Sequence, residues 1–162
     1  ILPMLAPFEQ SGCSVRQLGR ALNIMAPRRL SAVRHIRTMP YPGFPTDAQP
    51  VVMAMAAVGR GTSIFVETIF ENRFKHAEGL ERLGAKIKVE GKVAIVEGVE
   101  HLTGAPVMSH DLRGGAALVV AGLCAQGRTQ VDGVEYIRRG YEDLAGNLAD
   151  LGARIREVEE AP

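Results

Sequence analysis

The chain has 162 residues, 46% of them hydrophobic and 23% charged, which supports one folded domain with a sizeable core and excludes a disordered polypeptide. The formal net charge is +1 with acids and bases interspersed, so nothing resembles an electrostatic footprint for nucleic acid; the expected partners are small molecules at a local site. No apolar run approaches the roughly 20 residues that span a bilayer, and no charged leader opens the chain, so the sequence reads as soluble and cytoplasmic with no membrane partner.

The first segment, Ile1-Leu-Pro-Met-Leu-Ala-Pro-Phe-Glu-Gln-Ser-Gly12, lacks an initiator Met and already has the pattern of an amphipathic helix, which predicts a cut end of a longer protein. Short strands follow within Leu22–Val33 and end in turns. Next comes Arg37-Thr-Met-Pro-Tyr-Pro-Gly-Phe-Pro-Thr-Asp47. Pro40, Pro42 and Pro45 fix φ and disfavour helix at the residue before each, so the path is extended and stiff until it reaches one carboxylate. Asp47 precedes an apolar helix former, Ala48–Val58, that closes at Gly59 and Gly61. From spacing alone it fits a plain N-cap first and a positioned acid or base second.

A strand is expected over Thr62–Glu67, then a polar turn Phe70-Glu-Asn-Arg-Phe74. Asp111-Leu-Arg113 opens a second apolar helix. An aspartate there complements the helix dipole, whereas an arginine at the positive end is unfavourable unless it faces an anion. Arg139 follows Arg138 and precedes Gly140, whose missing side chain would let a ligand approach the backbone. Asp47, Arg73, Asp111, Arg113 and Arg139 therefore stand out, each also readable as a solvated or capping residue. Three converging guanidiniums would suit a small substrate with carboxylate and phosphate groups, and a nearby aspartate could take a proton from a hydroxyl. Cys13 and Cys124 have apolar neighbours and no ligand spacing, so both read as buried structural thiols. His35, His76, His101 and His110 are scattered, and neither a metal nor a cofactor is expected.

The chain repeats. Phe8-Glu-Gln-Ser-Gly-Cys-Ser-Val15, Leu80-Glu-Arg-Leu-Gly-Ala-Lys-Ile87 and Leu148-Ala-Asp-Leu-Gly-Ala-Arg-Ile155 share a helix end, a glycine stop and an alternating strand, with glycines 72 and 68 residues apart. A second register aligns Gly61 with Gly127 at an offset of 66, which places Asp47 on Arg113 and Arg73 on Arg139. Helices alternating with short strands predict α/β architecture in one domain, with units at about 1–38 (the end of a unit), 39–107 and 108–162, the last without its final strands.

Four motifs carry a resemblance: Thr38–Gln49, Glu67-Thr-Ile-Phe-Glu-Asn-Arg-Phe74, Asp111-Leu-Arg-Gly-Gly-Ala-Ala-Leu118 and Arg139-Gly-Tyr-Glu142. Their order and spacing resemble the UDP-N-acetylglucosamine enolpyruvyl transferase family (the 1-carboxyvinyltransferases) over nearly the whole chain. The resemblance implies an inverse α/β barrel built from βαβαββ units, of which this chain would be most of one domain. It implies transfer of enolpyruvate from phosphoenolpyruvate to the 3'-hydroxyl of UDP-N-acetylglucosamine with release of phosphate, the first committed step of peptidoglycan synthesis. Asp47 then resembles the carboxylate that contacts the sugar hydroxyl. Ile69 resembles the position whose backbone meets the uridine-sugar ligand. Arg73, Arg113 and Arg139 resemble the arginines that hold the anionic groups, with Asp111 as a second carboxylate and Asp47, Asp111 and Arg139 as the catalytic set.

The family's Met-Gln-Ala-Gln after the aspartate is Ala48-Gln-Pro-Val51 here, with Pro50 tolerated in the first helical turn. The family's other barrel, an N-terminal domain with a mobile cysteine loop, has no counterpart in these residues, and neither Cys13 nor Cys124 replaces that cysteine. Half an active site implies an inactive chain when alone. Two alternatives stay open: a non-catalytic anion- or partner-binding module of the same fold, and the related 3-phosphoshikimate enolpyruvyl transferase. The latter carries Lys-Glu-Ser-Asp-Arg where this chain has Phe70–Phe74.

Overall fold

The computed structural model describes residues 2–158; Ile1 and the closing Glu159–Pro162 lie outside the described residues. In chain order the elements are α1 Leu2–Gln10, β1 Ser14–Leu18, β2 Ala21–Met25, β3 His35–Arg37, α2 Gln49–Ala57, β4 Thr62–Val66, α3 His76–Arg82, β5 Lys86–Glu90 and β6 Val93–Glu97. They continue with β7 Leu102–Thr103, β8 Pro106–Met108, α4 Leu112–Cys124, β9 Ala125–Gln126, β10 Gln130–Asp132, α5 Val134–Arg138 and α6 Leu144–Asp150.

The central sheet has strand order β3-β4-β6-β5. β3 runs parallel to β4, β4 antiparallel to β6, and β6 antiparallel to β5, so the run β3-α2-β4-α3-β5-β6 forms one βαβαββ unit. The helices occupy the interior. α2 buries Pro50, Val52, Met53, Ala54, Ala56 and Ala57, nearly its whole circumference, as a helix without a solvent face must. α4 contributes Gly114, Gly115, Ala116, Ala117 and Ala121, small residues that allow close helix packing, together with the large Leu118. The sheet turns Phe65, Ala94 and Val96 inward and leaves Ile64 and Ile95 partly exposed, as the period of two requires.

Strand pairing repeats in register. His35, Ile36 and Arg37 face Ile64, Phe65 and Val66 in parallel; Pro106, Val107 and Met108 face Gln130, Val131 and Asp132 in the same sense. The glycines that stop the repeated helices, Gly12, Gly84 and Gly152, have φ of 92°, 92° and 93°. This backbone is costly for a residue with a Cβ, which is why the pattern keeps glycine there. After Gly84 come the paired strands β5 and β6; after Gly152, residues 153–158 have no strand partner among the described residues. Val119, Leu123, Val131, Ile137, Leu144 and Ile155 line the open groove beside them.

Two expectations need correction. Asp47 does not cap α2: a short 3-10 turn, Thr46–Ala48, intervenes, the residue before α2 is Ala48, and no side chain caps either helix start. Cys124, the last residue of α4, is exposed rather than buried, although its neighbours still push the thiol pKa up. Cys13 is buried as expected.

Candidate active site

The stiff segment ends in the 3-10 turn, and the turn aims Asp47 at two arginines. Arg73 Nη2 donates to Asp47 Oδ1 at 2.8 Å, and Arg113 Nη2 donates to Asp47 Oδ2 at 3.1 Å. The carboxylate side chain is 56% exposed, against 19% for Arg73 and 31% for Arg113, so the cluster lies at the surface with the guanidiniums more sheltered than the acid. Each arginine rests on an aromatic ring: Arg73 lies 5.3 Å from the Phe70 centroid and Arg113 lies 5.7 Å from that of Tyr141. Such stacking fixes the guanidinium plane without consuming its in-plane donors. Arg113 Nη1 also donates to the Tyr141 hydroxyl at 3.1 Å. That bond, and then Asp47, raise the Arg113 pKa despite partial burial, so its charge is secure.

Asp111 caps α4. Its Oδ1 accepts from the Arg113 N–H at 3.0 Å and the Gly114 N–H at 2.8 Å, which satisfies two orphan donors of the first turn. The arginine beside that positive helix end does face an anion, namely Asp47. Ile69 is partly exposed and its N–H donates to Glu67 Oε1 at 2.8 Å. Arg139 follows α5 as its C-cap in an exposed position, and among the described residues it makes no hydrogen bond to the cluster. Two of the three arginines converge; the third does not.

Three site neighbours were not singled out from the sequence, although Glu67 and Tyr141 lie within its motifs. Tyr141 orients Arg113, as described. His76, the first residue of α3, is only 4% exposed and lies between the Arg73 turn and the start of α4, with neither ring nitrogen hydrogen-bonded to a side chain among the described residues. Burial pushes its pKa down to about 4, with Asp111 pulling upward and Arg73 pushing further down. Glu67 is 1% exposed. Its Oε1 accepts from Thr38 Oγ1 at 2.9 Å and from the Ile69 and Phe70 N–H groups at 2.8 and 3.2 Å, and its Oε2 accepts from Thr46 Oγ1 at 2.9 Å. The signal for Glu67 was present in the alternation: Ser63 and Phe65 point inward, so the next inward position is 67. Among the described residues no group of three or more His, Cys, Asp or Glu could hold a metal ion.

A family profile for EPSP synthase (3-phosphoshikimate 1-carboxyvinyltransferase) matches residues 4–148. The chain belongs to the EPSP synthase family. Within it, the UDP-N-acetylglucosamine 1-carboxyvinyltransferase 2 of Caldanaerobacter subterraneus subsp. tengcongensis is 50% identical over 156 residues, covering 96% of this chain and 37% of that protein. The UDP-N-acetylglucosamine 1-carboxyvinyltransferase of Desulfofundulus thermocisternus is 54% identical over 153 residues, covering 94% of this chain and 63% of that protein. Among solved structures, the enolpyruvyl transferase NikO from Streptomyces tendae superposes with a TM-score of 0.85 at 30% identity over 96% of this chain and 36% of that one. EPSP synthase from Acinetobacter baumannii gives a TM-score of 0.76 at 20% identity over 98% of this chain and 40% of that one, which speaks for the fold alone.

The resemblance drawn from the four motifs holds at this level: the relatives near 50% identity carry the UDP-N-acetylglucosamine 1-carboxyvinyltransferase name. The α/β enolpyruvyl transferase architecture holds too, in part, since the chain spans 37% and 63% of the lengths of the first two relatives. No helix among the described residues is long and apolar enough to cross a membrane.

Proposed function

We propose that this chain supplies one wall of the active site of a UDP-N-acetylglucosamine enolpyruvyl transferase, which moves enolpyruvate from phosphoenolpyruvate to the sugar 3'-hydroxyl and releases phosphate for peptidoglycan synthesis. The observation that carries the reading is the carboxylate of Asp47 shared by Arg73 and Arg113, residues that reach it from two different repeat units. The names of the relatives near 50% identity support the same activity and favour the UDP-sugar over shikimate 3-phosphate.

In this reading Arg73 and Arg113 bind the anionic groups of the substrates. An arriving phosphate or carboxylate then competes with Asp47 for the same donors, and its binding releases Asp47 to accept the proton of the sugar hydroxyl. Ile69 already donates its N–H to Glu67, so its carbonyl is the backbone group left for the uridine-sugar ligand. Asp111 acts by setting the start of α4 and the Arg113 backbone, close to the reacting centre. Arg139 joins only when a ligand or the opposite wall draws it in. The remaining charge stabilisation and the exclusion of water come from outside these residues, from a further domain across the cleft, so the chain alone is inactive.

The test is phosphate release from phosphoenolpyruvate in the presence of UDP-N-acetylglucosamine, using the full-length protein that carries this chain. Asp47→Asn should slow turnover by roughly 10²- to 10⁴-fold, the range for loss of a general base. Unchanged turnover would remove Asp47 from that role, and release of phosphate by the 162-residue chain alone would refute the one-wall reading.

A further inference from the structure

We infer that Glu67 is a positioning residue that holds the turn bearing Asp47 and the turn leading to Arg73 in one fixed relation. An ionised carboxylate is an acceptor only and is costly to bury unless its lone pairs are filled. Glu67 is filled by four donors from three separate segments: the end of β3 (Thr38), the 3-10 turn (Thr46) and the turn after β4 (the Ile69 and Phe70 N–H groups). Thr46 is the residue before Asp47. Phe70 is the ring on which Arg73 rests. The two partners of the Asp47–Arg73 ion pair are thus each one short step from the same buried side chain. Its own N–H donates to Lys92 O at 2.8 Å, which ties it to the β5–β6 turn and keeps it from moving with either loop.

The repeat shows that the fold does not require this carboxylate. The Thr38 N–H donates to Val66 O at 3.0 Å, and the Ser109 N–H donates to Asp132 O at 2.8 Å, so Thr38 matches Ser109 and Glu67 matches Gly133. Gly133 has φ of 74° and no side chain, and the offset that pairs Asp47 with Arg113 puts Leu112 opposite Thr46. The same strand pair closes there without a buried acid. Of these two units among the described residues, the one that carries Asp47 has the network and the other lacks it, which points to the site rather than the sheet as its purpose.

The inference rests on the enolpyruvyl transfer reading for its kinetic consequence but not for its geometry, and the test separates the two. Thr46→Val removes one donor and keeps the side-chain shape, Thr46→Ser restores the donor, and Glu67→Gln removes the charge. In the chain, exchange of the Arg73 guanidinium protons followed by ¹H–¹⁵N NMR should accelerate about tenfold or more in Thr46→Val and Glu67→Gln, with Thr46→Ser like the parent. The Leu80 amide serves as the folding control and should stay protected. In the full-length protein, Thr46→Val should lower kcat about tenfold and Thr46→Ser should recover it. Unchanged Arg73 exchange in Thr46→Val overturns the inference, as does a fall in thermal stability in Glu67→Gln with Thr46→Val altering neither exchange nor kcat. If Asp47→Asn leaves turnover intact, the functional reading fails while the exchange result still decides the positioning.

Discussion

Asp47 offers one oxygen to each of two arginines, and with 56% of its side chain exposed this triad adds little to stability. Asp47→Asn should therefore shift the urea unfolding free energy by less than about 1 kcal/mol, a change far smaller than the loss of turnover the proposed function expects. His76 behaves in the opposite way. Its folded pKa of about 4 lies below the 6.5 of the unfolded chain, so the folded state resists a proton that the unfolded state takes up. Above pH 6.5 both states are neutral and the residue confers no pH dependence; as pH falls from 6.5 to 4, stability is lost, by up to about 1.4 kcal/mol per pH unit. Urea unfolding across that range should show this slope, and His76→Asn should flatten it. A slope that survives His76→Asn would assign it to other groups.

At the scale of elements, the repeat glycines were the most legible feature because their positive-φ backbone is costly for any residue with a Cβ. Gly84 has φ of 92° with open space around it, so Gly84→Ala should destabilise through the backbone alone, by about 1–2 kcal/mol in urea unfolding. Gly79 is a different case: a Cβ there would lie 2.6 Å from Cδ2 of the buried Leu118, so Gly79→Ala would force that side chain to shift at the α3–α4 contact. The place of Asp111 at the start of α4 was legible, since an aspartate directly before that apolar run complements the helix dipole. The start of α2 was not, because the 3-10 turn redirects a carboxylate whose partners lie 26 and 66 residues away. Glu67 is likewise hidden by separation, its hydroxyl partners lying 29 and 21 residues back. His76 shares an inward helix face with Leu80 and Leu83, a spacing that predicts burial but says nothing of what the imidazole meets.

For the whole molecule, interior helices and an outer sheet bring Asp47 and Arg73, from turns between elements, and Arg113, from the first turn of α4, to one edge, while Arg139 stays apart from them. The core behind that edge is a single cluster in which Phe65 is fully buried, so Phe65→Ala should cost about 3–5 kcal/mol and lower the thermal midpoint accordingly. Under the proposed function that edge is an anion site with an internal occupant: Asp47 holds the two guanidiniums that a substrate phosphate or carboxylate would use. The most direct measurement of that claim is calorimetric titration of inorganic phosphate into the chain at pH 7, beside its Asp47→Asn and Arg113→Ala variants. The account predicts that Asp47→Asn binds phosphate roughly tenfold or more tightly than the parent, since the competing charge sits about 3 Å from both guanidiniums, and that Arg113→Ala loses the binding. Equal or weaker binding in Asp47→Asn would contradict it.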